Sequence, residues 1–147
     1  MKILITGNTG FIGSKIVSTL GISQASLVLP VRNRAVSQFR LGHNVQYKMI
    51  GDIDKETNWH DCLEGVDVIV HCAAISDGGQ KYNFQHSQAL RCVNVDGTLK
   101  LASQAASAGV RRFVFLSSIK VNGAYTEPHV PFTPEGIASP TDAYGMS

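Results

Sequence analysis

The feature that most narrows the fold is a glycine pattern close to the start of the chain. The apolar run Lys2-Ile3-Leu4-Ile5 breaks directly into Thr6-Gly7-Asn8-Thr9-Gly10-Phe11-Ile12-Gly13. Three glycines at three-residue spacing, between a strand and a helix, have a mechanical reading. Gly7 permits the tight turn, Gly10 lets the backbone approach a pyrophosphate, and Gly13 lets the helix pack closely on the strand. The helix N-terminus then offers unpaired N–H groups and a positive dipole end to the phosphates. A loop that merely connects strand to helix would need none of this. The flank agrees with binding, because Ile12, Ile16, Val17 and Leu20 make one apolar helical face.

Strand and helix patterns then alternate along the chain. Strands are expected at about residues 2–6, at Ser26–Val31, Val45–Ile50 and Val66–Val70, and at Arg112–Leu116. Between them a helix starts near Phe11, a short one covers Ala35–Leu41, and a helical turn lies near Trp59–Leu63. A long helix runs from about Ser87 to Ala108, with Leu90, Val93, Leu101 and Ala105 as its buried stripe and Gly109 at its end. Near-continuous apolar strands, each returning through a helix, argue for a parallel sheet covered on both faces. Right-handed crossovers make it an α/β, doubly wound parallel sheet, a Rossmann fold. From Asn122 onward the periodicity is lost and four of the five prolines gather, so this tail reads as an ordered loop without a helix.

Composition agrees with one such domain. A length of 147 residues with 44% hydrophobic and 16% charged residues is ordinary for a globular protein. The net charge of +2, without a basic block, gives no reason to expect nucleic acid or a membrane surface as partner. No apolar stretch reaches transmembrane length, and the first strand is too short to act as a signal peptide. Cys62, Cys72 and Cys92 are odd in number and lack C-x-x-C spacing, which suits a reduced, cytoplasmic setting.

Ligands bind at strand ends in such a sheet, so those residues are the candidates. After the second strand, Arg32-Asn33-Arg34 offers no carboxylate for ribose hydroxyls. Arg32, with Arg34 as a second candidate, is suited to a 2′-phosphate, which favours NADP with NAD as the alternative. Asp52, in Gly51-Asp52-Ile53, is placed either to accept from an adenine amino group or to cap a helix. His71-Cys72-Ala73-Ala74 closes the fourth strand with small residues that admit a cofactor; His71 lacks metal-ligand partners and reads as a packed or hydrogen-bonded histidine. Ser117 and Ser118 end the fifth strand, and Tyr144 lies in the tail. A hydroxyl and a phenol at the cofactor's edge are equipped to handle a substrate alcohol proton, although either alone is commonly a cap or a packing residue.

Taken together, these segments resemble the N-terminal half of an extended short-chain dehydrogenase/reductase, the superfamily of nucleotide-sugar epimerases and dehydratases. The resemblance rests on Thr6-Gly7-x-x-Gly10-Phe11-Ile12-Gly13, Gly51-Asp52-Ile53, His71-x-Ala73-Ala74, Asn94-Val95-x-Gly97-Thr98, Ser117-Ser118 and Tyr144-Gly145-x-Ser147. It implies that Gly7, Asn8, Thr9, Gly10, Phe11, Ile12 and Gly13 hold the pyrophosphate. It places Asp52 and Ile53 at the adenine, and Ala73, Ala74 and Ser117 along the cofactor. Asn94 would support the site, Ser118 would be the catalytic hydroxyl and Tyr144 the acid/base. No metal is implied.

Two departures from the family pattern follow. Asn122 stands where many relatives carry tyrosine, and the family's lysine four residues after the tyrosine lies past Ser147. The resemblance therefore implies a Rossmann domain over residues 1–147, truncated after the fifth strand and lacking the C-terminal substrate lobe. Such a chain would bind a dinucleotide yet turn over weakly or not at all. The expected function is that of an NAD(P)-dependent epimerase or dehydratase on a nucleotide sugar. A nucleotide-sugar ketone reductase and a non-catalytic dinucleotide-binding module are the alternatives. An uncovered fifth strand also suggests self-association, a homodimer included.

Overall fold

Strands that are apolar on both faces can be buried only between layers, and the chain supplies those layers. The computed structural model describes residues 1–33, 44–76 and 84–147. Strands β1 (Lys2–Thr6), β2 (Ser26–Val31), β3 (Val45–Met49), β4 (Val68–His71) and β5 (Arg112–Phe115) form one sheet in the order β3-β2-β1-β4-β5. Every pairing is parallel. Alternation along the strands divides their side chains between two cores. Leu4, Val28 and Ile69 pack with Trp59, Cys62, Leu63, Leu101 and Ala105 on one face. Ile3, Ile5, Leu27 and Leu29 pack with Val17 on the other. This is the doubly wound α/β sheet read from the sequence.

Helix α1 (Phe11–Leu20) covers the second core, while α2 (His60–Leu63) and α4 (Thr98–Ser107) cover the first. The buried face of α1 is Gly13 and Val17, whereas Ile12, expected in the stripe, is half exposed. The close approach of Gly13 to the glycine turn rotates the helix and leaves Ile12 outside.

Other elements also shift from expectation. β4 starts two residues late, because Val66 still closes the preceding turn onto the Leu63 carbonyl while Val68 is the first residue paired beside Ile3. β3 and β5 each end one residue early, although the Ile50 and Leu116 N–H groups still bond to Val31 and His71. The long helix is three pieces: α3 (Phe84–Leu90), a π-helical stretch (Arg91–Gly97) and α4. Leu90, Leu101 and Ala105 of its stripe are buried, and Val93 instead borders a cavity. The tail does contain a helix, α5 (Ala143–Met146), and β5 is followed by a 3-10 turn at Ile119–Val121. The helix expected over Ala35–Leu41, and Arg34, lie outside the described residues.

The chain moves outward from β1 through β2 to β3, then crosses back to β4 on the other side of β1. Strand order therefore reverses between β1 and β4, and a crevice opens at the carboxyl ends there. Among the described strands β5 forms an edge, and Phe115 on it is 52% exposed.

Candidate active site

At the end of β1 the chain turns at once. Gly7 adopts φ +63°, and a Cβ there would stand 2.7 Å from backbone atoms of Cys72 and Ala73. Gly13 is tighter still, since its Cβ would lie 2.1 Å from the Gly7 carbonyl oxygen. The turn is closed by Gly10 N–H donating to that carbonyl at 2.9 Å. Helix α1 thus begins against the strand end, where its first N–H groups have no intrahelical acceptor. The side chains of Phe11 and Ile12 are exposed and lie outside the cavity wall, so backbone N–H is what they offer a phosphate. Asn8 is buried and donates to the Pro30 carbonyl at 2.6 Å, which ties the loop to β2.

A cavity of about 580 Å³ opens above these strand ends. Thr9 and Gly10 of the loop border it, as do Arg32 after β2, Asp52 and Ile53 after β3, and Ala73 and Ala74 after β4. The Arg32 guanidinium lies 3.5 Å from the Asp52 carboxylate, and both side chains are largely exposed. The cation expected to read a 2′-phosphate and the carboxylate expected at the adenine are thus paired with each other. Backbone donors at a helix start, glycines where a side chain would block, and polar groups across the sheet suit an extended dinucleotide. Cys72, one of the small residues expected to admit a cofactor, and Val93, expected only in a buried stripe, also border this cavity; burial pushes the Cys72 thiol pKa up.

A second cavity, about 240 Å³, shares Ala73 and Ala74 with the first. Ser117, Ser118 and Tyr144 line it together, and Asn94 and Thr98 line it as well. The tail thereby brings Tyr144 to the strand-end serines across more than twenty residues. Asn94 sits in the π-helical stretch, a departure that recurs at functional sites. Its amide bonds both N–H and C=O of Ile75, at 2.8 and 3.0 Å, and donates to Ser147 Oγ at 2.9 Å.

Two short turns carry the hydroxyl and the phenol, and polar side chains fasten them. Ser118 Oγ accepts from Lys120 N–H at 3.3 Å and so caps the 3-10 turn. Asp142 caps α5 by accepting from Gly145 N–H at 2.7 Å, while Lys120 Nζ donates to its other oxygen at 2.5 Å. The Lys120 ammonium, and then the Gly145 N–H, hold the Asp142 carboxyl below its ordinary range. Lys120 and Asp142 were not picked out from the sequence. Asp142 carried a signal, an Asp directly before a short helix-compatible run; Lys120 carried none.

His71 is buried, and both ring nitrogens are engaged by threonine hydroxyls, Thr6 at 2.7 Å and Thr98 at 2.8 Å. Burial pushes its pKa down to about 4, so it is neutral at pH 7.

The glycine turn, the shared cavity wall and the serine–tyrosine pair all fall within the stretch that a family model matches. The NAD dependent epimerase/dehydratase family model matches residues 3–147. This chain belongs to that family. A UDP-glucose 4-epimerase of Vibrio cholerae is 37% identical over 146 residues, 99% of this chain and 43% of that protein. A 3-beta-hydroxysteroid dehydrogenase of Mycolicibacterium neoaurum is 34% identical over 122 residues, 82% of this chain and 32% of that protein. The solved complex of MoeE5 with UDP-glucose and NAD superposes with a TM-score of 0.79 at 29% identity, covering 99% of this chain and 45% of MoeE5. The chain therefore spans less than half the length of each of these three relatives. The family is NAD dependent by description and MoeE5 holds NAD, so the expected preference for NADP finds no support among them.

Proposed function

We propose that the chain supplies the dinucleotide site and the acid/base pair of an NAD-dependent epimerase or dehydratase acting on a nucleotide sugar. The observation that carries this reading is the shared wall. Ala73 and Ala74 border both cavities, so a dinucleotide laid along the glycine loop would reach the cavity that holds Ser118 and Tyr144. When bound, the nicotinamide supplies the hydride acceptor and donor.

This chain's own residues handle the proton. The Tyr144 phenol is the group that would take a proton from a sugar hydroxyl, and return it when a carbonyl is reduced. The Ser118 hydroxyl would hydrogen-bond the same oxygen and hold it toward the phenol. The Lys120–Asp142 clasp keeps the two turns in register. NAD is favoured over NADP because Arg32 already has a carboxylate partner in Asp52, which a 2′-phosphate would have to displace. The UDP-glucose named for the Vibrio cholerae relative and for the MoeE5 complex supports a nucleotide sugar as substrate class.

Calorimetric titration of the chain with NAD, NADP and UDP-glucose tests each part. Saturable binding of NAD, weaker NADP binding, and UDP-glucose binding to the NAD-loaded chain are expected. Tighter NADP binding would overturn the cofactor assignment. Absence of UDP-glucose binding would overturn the substrate class.

A further inference from the structure

His71 lies between the two cavities and belongs to neither wall. It is 1% exposed, packs on Phe113 and Phe115, and joins β4 to β1 and α4 through two hydroxyls. Hydrogen-bond accounting settles which nitrogen carries the proton. Thr6 Oγ1 accepts from Cys72 N–H at 3.2 Å and from Ala73 N–H at 3.1 Å. A hydroxyl oxygen has two acceptor sites, and both are then filled. Toward His71 the Thr6 hydroxyl must therefore donate, which makes Nδ1 the acceptor. In the neutral ring the proton then sits on Nε2, and Nε2–H donates to Thr98 Oγ1 at 2.8 Å. With the opposite tautomer Thr6 would receive a third donor and its own proton would have no acceptor.

The direction of this chain of bonds has a consequence for Thr98. Its oxygen accepts from the imidazole, and among the described residues no group accepts its hydroxyl hydrogen. Thr98 borders the Ser118–Tyr144 cavity. We infer that His71 is a positioning residue, fixed as the Nε2–H tautomer, that presents the Thr98 hydroxyl as a hydrogen-bond donor to an acceptor oxygen of the ligand in that cavity. The inference rests on the proposed reading of the cavity as the reacting end of the site. The oxygen belongs either to the nicotinamide half of NAD or to the nucleotide sugar, and both present the same carbonyl or hydroxyl chemistry.

Two measurements test it. Two-bond nitrogen–proton correlation spectra of the labelled chain report the tautomer directly. A protonated Nε2 and a bare Nδ1 on His71, unchanged from pH 6 to pH 8, are expected. A protonated Nδ1, or a protonated ring in that range, overturns the lock. Calorimetric titrations of wild type, Thr98→Val and Thr98→Ser with NAD, and with UDP-glucose on the NAD-loaded chain, test the donor. Valine should weaken one ligand about tenfold and serine should restore it, as expected for one hydrogen bond. Loss confined to NAD places the oxygen on the nicotinamide half, and loss confined to UDP-glucose places it on the sugar. Unchanged affinities for Thr98→Val overturn the donor alone, whereas a wild-type chain that binds neither ligand overturns the functional reading with it.

Discussion

At the glycine loop, position is enforced by backbone contacts that leave no room for a methyl group. Around Tyr144 it is enforced by side-chain hydrogen bonds between two short, half-exposed turns. The first region is continuous with the sheet, since Gly7 lies against the end of β4 and Gly13 against Gly7 itself. The second touches the sheet through β5 and is held by Ser118, Lys120 and Asp142. The difference teaches where each kind of change is tolerated. A turn built by close packing fails all at once, whereas an edge built from clasps loosens by degrees.

Adding one methyl group is the most direct way to break the first region. Gly13→Ala places a Cβ 2.1 Å from a carbonyl oxygen, a distance no rotamer can relieve. Overpacking of a rigid site commonly costs about 3 kcal/mol, and the backbone here has no free side to move toward. Thermal denaturation should show a much lower midpoint or no cooperative transition. A Gly13→Ala protein that melts like wild type and still binds NAD would falsify the close-packed cradle.

The next effect in size joins the two regions, because His71 bridges them. Burial pushes its pKa down to about 4 from an ordinary value near 6.5. Between those values the unfolded chain binds a proton that the folded chain refuses, so stability falls as pH drops from about 6.5 toward 4 and is unaffected by this group above that window. The difference corresponds to about 3 kcal/mol across the window. Denaturant titrations at pH 7 and pH 4.5 should differ more for wild type than for His71→Gln. Equal pH slopes in the two proteins would show that His71 is solvated or already protonated.

The same contrast explains what the sequence made legible. Strands were readable because a run such as Leu27-Val28-Leu29 is apolar on both faces, and the glycine turn because its spacing is a steric requirement. Val66 misled the assignment of β4, since an apolar residue serves the core equally well in a turn as in a strand. Helix α5 was missed because four residues are too few for any periodicity, and its stability comes from the Asp142 cap. The π-helical turn that places Asn94 leaves no trace in a hydrophobic pattern. Pairing of Arg32 with Asp52 was hidden because the two follow different strands, and only the parallel order β3-β2-β1 brings them side by side. Candidate chemistry was thus easier to name than the contacts that position it.

Loosening the clasp is a smaller effect and should stay local. Asp142→Asn keeps the shape but weakens the bond to Lys120, so the global melting point should move little. Amide exchange at Gly145, whose N–H is held by the Asp142 carboxylate, should accelerate about fivefold, as expected for a lost helix cap. The carboxyl is held below its ordinary range, so the clasp is fully made above about pH 4 and is lost as pH falls further. Exchange at Gly145 in wild type should therefore rise beyond the intrinsic pH trend in acid, and Asp142→Asn should lack that extra rise. If both proteins follow the same trend, the carboxylate is not what holds α5.

The smallest effect concerns the Arg32–Asp52 end of the larger cavity. Arg32 and Asp52 form an exposed pair, which is worth at most about 1 kcal/mol, so neither can dominate affinity. Under the proposed reading their role is selection, because Asp52 occupies the cation that a 2′-phosphate would need. Asp52→Asn frees Arg32 and should improve NADP binding while leaving NAD within about fivefold of wild type. Arg32→Ala should weaken whatever NADP binding exists and barely alter NAD. Parallel calorimetric titrations with both dinucleotides decide it. If Asp52→Asn weakened NAD strongly instead, the carboxylate would be gripping the adenosine itself, and the loop after β3 would belong with the close-packed region rather than with the adjustable one.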